Sequence, residues 1–194
     1  MELSYIERRR NNRFARYKLL RRNQAVYDAV LRYIRPGPAR VLDIGACDGR
    51  MLSYIKDRLP ELDCYGLEPQ PEFAAVCLDR RLKLSEGRAE SMPFPDNFFN
   101  LALLSLVLEH VEDDTACVKE LRRVLKEGGC AVILTVAPLW ERMAALMGIK
   151  KADHFRNYGY KSLKSLLEQA GLKVKYSMPL PFPLFYRLTI AEKW

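Results

Sequence analysis

The chain reads as an α/β fold built on a mostly parallel sheet, and three observations carry that reading. Short apolar runs recur between stretches of helical spacing, so strand-like and helix-like segments alternate along the sequence. Two runs, residues 41–44 and 101–106, are apolar enough for strands buried on both faces. The first leads into a tight turn bracketed by Gly45 and Gly49, and helical spacing resumes at Arg50.

The elements follow in order. Residues 4–34 predict helix in two pieces, with Tyr27, Val30, Leu31 and Ile34 forming an apolar stripe at spacings of three and four. Pro36, Gly37 and Pro38 end it, in a segment too short for an interdomain linker. Residues 50–59 predict a helix stopped by Pro60, and residues 63–67 a second strand with Glu68 at its end. A short helix is expected at 71–79, a third strand at 82–85 and the fourth at 101–106. Asp113 and Asp114 offer caps for a helix running to Lys126, which Gly128 and Gly129 close before a fifth strand at 130–136. Residues 141–152 read as a helix or lid, and residues 161–170 as a helix capped by Gly171. Strands at 173–178 and 187–193, joined by PLPFPLFY, make a terminal antiparallel hairpin. The expectation is one domain over 1–194, with basic helices at 1–37 covering a core at 38–194.

Composition narrows the function classes. Five cysteines (Cys47, Cys64, Cys77, Cys117 and Cys130) form no C-x-x-C pair, and with only His110 and His154 as imidazoles no metal site is expected. No apolar run reaches a membrane span and no secretory signal opens the chain, so the expected location is the cytoplasm. The net charge of +8 is unevenly placed: residues 1–40 hold eleven Lys and Arg against three acids, and the rest is neutral. That basic segment reads either as a solvated helix face or as a contact for an anionic membrane surface.

The glycine turn carries the chemistry. A dinucleotide would require G-x-G-x-x-G, whereas this loop reads G-A-C-D-G-R. Asp43 and Asp48 would also repel a pyrophosphate, so a cationic ligand suits the turn better. Glu68, an acid at the end of the second strand, is placed to accept from the two hydroxyls of a ribose. An ordinary strand-turn-helix without a ligand remains the bland alternative.

The stretch from Arg40 to Leu52, RVLDIGACDGRML, resembles the first motif of class I S-adenosylmethionine-dependent methyltransferases, V-L-D-x-G-x-G-x-G. Asp43, Gly45 and Gly49 match it, and Cys47 stands for the middle glycine. The passage GRAESMPFPDNFFNLALLSLVLEHV resembles a later stretch of the same class, with Gly87, Ala89, Pro93, Phe94, Asp96, Phe99 and His110 in place. Arg88 and Asn100 replace acids that the class often carries there. The resemblance, to a methyltransferase type 11-like domain, implies a Rossmann-like seven-stranded sheet with S-adenosyl-L-methionine as cofactor. It implies that Asp43 takes the methionine amino group and that the turn at Gly45, Ala46, Cys47 and Gly49 approaches the carboxylate and adenosine. Glu68 with Pro69 would hold the ribose, Ala89 and Glu90 the adenine, and Ser105 and Leu106 the methyl-bearing end.

The run HFRNYGYKSLKSLLEQAGL resembles the class's His-x-x-x-aromatic entry to its last helix, which implies that His154 and Tyr158 line an acceptor pocket; Trp140 reads equally as a pocket wall or a helix anchor, and His110 either as a pocket residue or as a packed, hydrogen-bonded histidine. If the acceptor must lose a proton, His154 and then His110 are the candidate bases. The acceptor expected is a small molecule or lipid. Two alternatives stay open: a cofactor-binding module without chemistry, marked by Cys47, Arg88 and Asn100, and an RNA methyltransferase. The latter lacks an N-P-P-Y or D-P-P-Y tetrad after the fourth strand, which makes nucleic acid the weaker partner. Oligomeric state is not legible.

Overall fold

A computed structural model describes residues 12–34, 37–138, 156–181 and 184–194. The first element, α1 (Arg13–Tyr33), starts at Asn12, whose side chain accepts from the amides of Phe14 and Ala15. Its buried face carries Val26, Ala29 and Val30, whereas Leu31, expected in the apolar stripe, is 48% exposed. The core contact therefore follows 26, 29 and 30, and the first piece of the expected pair falls partly on residues 1–11, outside the described ones.

The remaining elements are β1 (Arg40–Ile44), α2 (Arg50–Lys56), β2 (Asp63–Glu68), α3 (Pro71–Ala75), β3 (Lys83–Glu86) and β4 (Phe99–Ser105), then α4 (Asp114–Val124), β5 (Leu125–Val136), α5 (Tyr160–Gln169), β6 (Leu172–Pro179) and β7 (Tyr186–Lys193). Asp113 caps α4 by accepting from the Ala116 amide at 2.9 Å. Gly128 and Gly129 do not close that helix. They lie inside β5, whose pairing with β4 is irregular between Phe99 and Leu101. A Cβ on Gly129 would come within 2.8 Å of the Lys126 carbonyl, so glycine here serves the close approach of the irregular segment. The helix 71–79 shortens to five residues and 50–59 to seven.

The strands form a seven-stranded sheet in the order β3-β2-β1-β4-β5-β7-β6. The pairs β1–β2, β1–β4, β2–β3 and β4–β5 are parallel, while β7 runs antiparallel to β5 and β6. This is the expected architecture, a mostly parallel sheet with a terminal antiparallel hairpin and an N-terminal helix against it. One face packs Leu42, Leu104 and Ile133 against α4 and α5 through Val118, Leu121, Leu163 and Leu167. The other packs Val41, Leu103 and Val132 against α1 and α2 through Val26, Val30, Leu52 and Ile55. Each such aliphatic side chain contributes roughly 1.5 to 3 kcal/mol by leaving water. Strand order reverses direction between β1 and β4, and the crevice beyond their carboxyl ends is where sheets of this kind bind ligands.

Candidate active site

A cavity of about 510 Å³ opens at that switch point. Its floor is the end of β1 and the turn after it (Asp43, Gly45, Ala46 and Cys47). The end of β2 adds Glu68 and Pro69, and the loop after β3 adds Ala89 and Glu90. Ser105 and Leu106 close the wall at the end of β4, and His110 stands at the end of the 3-10 turn Leu108–His110. Eleven of the residues expected from sequence thus meet around one space.

Others do not. Gly49 is absent from the lining, and a Cβ there would sit 2.9 Å from Cys77 Sγ and 3.0 Å from Leu82 Cδ1. Its left-handed φ of 75° and this packing account for the glycine, so it shapes the turn without touching the cavity. Tyr158, expected in the acceptor pocket, is buried in the core and donates its hydroxyl to Asp114 Oδ2 at 2.7 Å. Arg156 Nε approaches the same oxygen at 3.5 Å, so the aromatic ring anchors the approach to α5. Trp140 and His154 lie outside the described residues.

Hydrogen bonding around the turn revises a further expectation. The amides of Gly45 and Ala46 donate to the Leu67 carbonyl at 2.8 and 3.0 Å, and that of Cys47 to Glu68 Oε2 at 2.9 Å. These donors are spent within the protein, so the turn offers no amide cradle for a ligand carboxylate at those three positions. Gly45, with φ of 72°, instead lets Val107 close in: a Cβ would lie 2.5 Å from Val107 Cγ2. Cys47 and Leu106 both line the cavity with left-handed φ, 51° and 61°, and such strain in non-glycine residues collects at functional sites.

The carboxylates are prepared differently. Glu68 accepts from the Cys47 amide on Oε2 and from the Gln70 amide, at 3.1 Å, on Oε1. It is therefore locked in place with lone pairs to spare on both oxygens. Burial raises its pKa above the ordinary value and outweighs those two bonds. Asp43 is 4% exposed, and burial pushes its pKa up to about 7 against the lowering field of Arg22, with Glu68 adding to the rise. Asp48 is spoken for by Arg50 at 2.7 Å.

Sequence reasoning missed two cavity residues from α1, Leu19 and Arg22. The basic segment was visible, but which of its many cations turns inward depends on how the helix docks. The three departures from the class pattern find local explanations. Arg88 pairs with Glu90 at 3.0 Å and Glu112 at 3.3 Å. Asn100 stands at the amino end of β4, away from the cavity, accepting from the Arg40 amide at 3.0 Å and Lys126 Nζ at 3.2 Å. Cys47 keeps the backbone conformation that a glycine would take. Among the described residues, no group of three or more His, Cys, Asp or Glu is arranged to hold a metal ion.

The donor set suits S-adenosylmethionine. A buried acid awaits a cation at the end of β1, a fixed carboxylate awaits a diol at the end of β2, and the Ser105 hydroxyl is buried at the cavity wall without a hydrogen-bond partner.

Comparison with known proteins agrees. Residues 42–133 match the family model described as a methyltransferase domain. The chain is 28% identical over 173 residues to the ubiquinone/menaquinone biosynthesis C-methyltransferase UbiE of Burkholderia mallei (strain SAVP1), covering 74% of this chain and 71% of that one. In fold it is similar to a SAM-dependent methyltransferase of Thermotoga maritima, with TM-score 0.68, 20% identity, and coverage of 93% of this chain and 94% of that one. A Pyrococcus horikoshii OT3 protein gives TM-score 0.73 at 15% identity, covering 95% of this chain and 93% of that one. Matched segment, strand order and ligand crevice together identify a class I S-adenosylmethionine-dependent methyltransferase domain, with S-adenosyl-L-methionine as its cofactor.

Proposed function

We propose that the domain methylates a small lipid-soluble acceptor. The observation that carries this is the cavity's mixed lining: the acids Asp43 and Glu68 together with the apolar side chains of Leu19, Met51, Leu106, Val107 and Val111. The similarity to a C-methyltransferase named for quinone biosynthesis supports the same acceptor class.

In this reading the bound cofactor supplies a methyl group on a carbon already activated by its sulfonium. The chain's own residues align and enclose. Asp43 takes the ammonium of the methionine part, and Arg22, the α1 cation whose field reaches Asp43, takes its carboxylate. Glu68 accepts from both ribose hydroxyls, while Ala89 and Glu90 border the adenine. Ser105 and Leu106 flank the reacting end, and the apolar side chains exclude water and seat the acceptor. Alignment alone supplies much of such a displacement. Where the acceptor must lose a proton, His110, which lines the cavity, would take it.

The test is incubation of the purified chain with methyl-labelled cofactor and, in parallel reactions, a lipid extract or total RNA, each followed by organic extraction and counting of both phases. Label in the organic phase, reduced about tenfold or more by Glu68→Ala at subsaturating cofactor, is expected. Label that enters only RNA, or no product at all despite cofactor binding, would overturn the acceptor class or the chemistry respectively.

A further inference from the structure

We propose that the exposed face of α1 docks on an anionic lipid bilayer. Phe14, Tyr17, Leu20 and Leu31 are 55%, 48%, 56% and 48% exposed. With about 3.6 residues per turn they fall on one side of the helix. Asn23, Val26, Ala29 and Val30 fall on the other side and are buried. Scattered apolar side chains on a surface need no explanation, but four large ones on one helical face mark a contact.

The charges on that face say what kind. Arg13, Arg16, Arg21 and Arg32 are exposed among the apolar side chains, and Asp28 is the helix's one acid. Arginine interleaved with aromatic and aliphatic groups complements a surface that is negative at its headgroups and apolar beneath them. A nucleic acid would use the arginines and leave Leu20 and Leu31 in water. Among the described residues no helix is long and apolar enough to cross a membrane, so the contact is peripheral.

The same helix turns Leu19 and Arg22 into the cavity wall. These two lie on the buried side of the helix, so docking through the exposed side holds the cavity one helix thickness, about 10 to 12 Å, from the bilayer in which a lipid-soluble acceptor resides. That last step rests on the proposed acceptor class, whereas docking itself does not.

Cosedimentation reads docking without any catalysis. The chain is spun with vesicles of phosphatidylcholine alone and of equimolar phosphatidylcholine and phosphatidylglycerol, at low and high salt. Wild type should sediment with the anionic vesicles only, and less as salt rises. Arg13→Gln, Arg16→Gln and Arg21→Gln combined should weaken partition roughly 100-fold. Phe14→Ser, Tyr17→Ser and Leu20→Ser combined, with charge unchanged, should weaken it roughly tenfold or more. All six positions are exposed, and equal melting curves verify the fold of each variant. Wild type left in the supernatant at low salt overturns the proposal. So does an apolar variant that binds like wild type, or retention of an RNA duplex by a chain that ignores vesicles.

Discussion

Asp43 is the residue on which pH acts. Burial holds its pKa at about 7, so near neutrality it is poised between acid and carboxylate. Its protonated form favours the fold, and Asp43 therefore withdraws stability as pH climbs from the ordinary carboxylate range to about 7. A cationic ligand reverses the preference by stabilising the ionised form. Cofactor affinity should accordingly fall roughly tenfold per pH unit below 7 and level off above it, with Asp43→Asn both weaker and flat across that range. Calorimetry from pH 5.5 to 7.5 checks the slope, and a flat wild-type profile would remove Asp43 from the ligand's charge. Arg22 and Glu68 separate by choice of ligand. Arg22→Gln should weaken S-adenosylmethionine but leave 5′-methylthioadenosine, which lacks the amino-acid part, unaffected. Glu68→Ala should weaken both by about tenfold or more, since a hydrogen bond to a charged group contributes roughly 1.5 to 3 kcal/mol. Asp43 and Glu68 were legible in the sequence because strand ends announce them. Arg22 was not, because nothing in a run of basic residues distinguishes the one that faces a carboxylate.

The turn between β1 and α2 owes its glycines to packing within the protein. Gly45 and Gly49 signalled a turn correctly, yet the space each leaves is filled by protein, Val107 in one case and Cys77 with Leu82 in the other. Packing partners so distant in sequence leave no local trace. Cys47 holds a φ of 51° at the cavity floor, a conformation costing an L-residue roughly 1 to 2 kcal/mol. Cys47→Gly should keep cofactor binding and stabilise the fold by up to about 1 kcal/mol in urea denaturation. Alkylation of Cys47 by iodoacetamide should slow when cofactor saturates the cavity, and equal rates with and without it would contradict that placement. At the opposite end of the sheet, Asn100 joins the start of β1 to Lys126 of β5. Its loss in Asn100→Ala should cost about 1 to 3 kcal/mol of stability by orphaning the Arg40 amide, with cofactor affinity unchanged. That result would show the residue to be a brace for the sheet and no mark of lost chemistry.

Across the whole molecule, alternation of apolar runs with helical spacing sufficed for the sheet and its final hairpin, because buried parallel strands and amphipathic helices leave different periods. What the sequence concealed were features decided by docking. Leu31 was placed inward by spacing alone, while α1 rotates to bury Val26, Ala29 and Val30. Tyr158 followed a motif into the acceptor pocket, while its hydroxyl finds Asp114 and its ring the core. Gly128 and Gly129 looked like a helix stop, whereas the chain leaves α4 at Val124 and enters β5 at once. In the proposed function the crevice at the β1–β4 switch point binds S-adenosylmethionine through Asp43 and Glu68. Isothermal titration of the purified chain with the cofactor at pH 7.5, repeated with Glu68→Ala and Asn100→Ala, tests it most directly. One-to-one binding that survives in Asn100→Ala and weakens about tenfold or more in folded Glu68→Ala is the predicted result. Unchanged affinity in Glu68→Ala, or no binding to the wild-type chain, would contradict it.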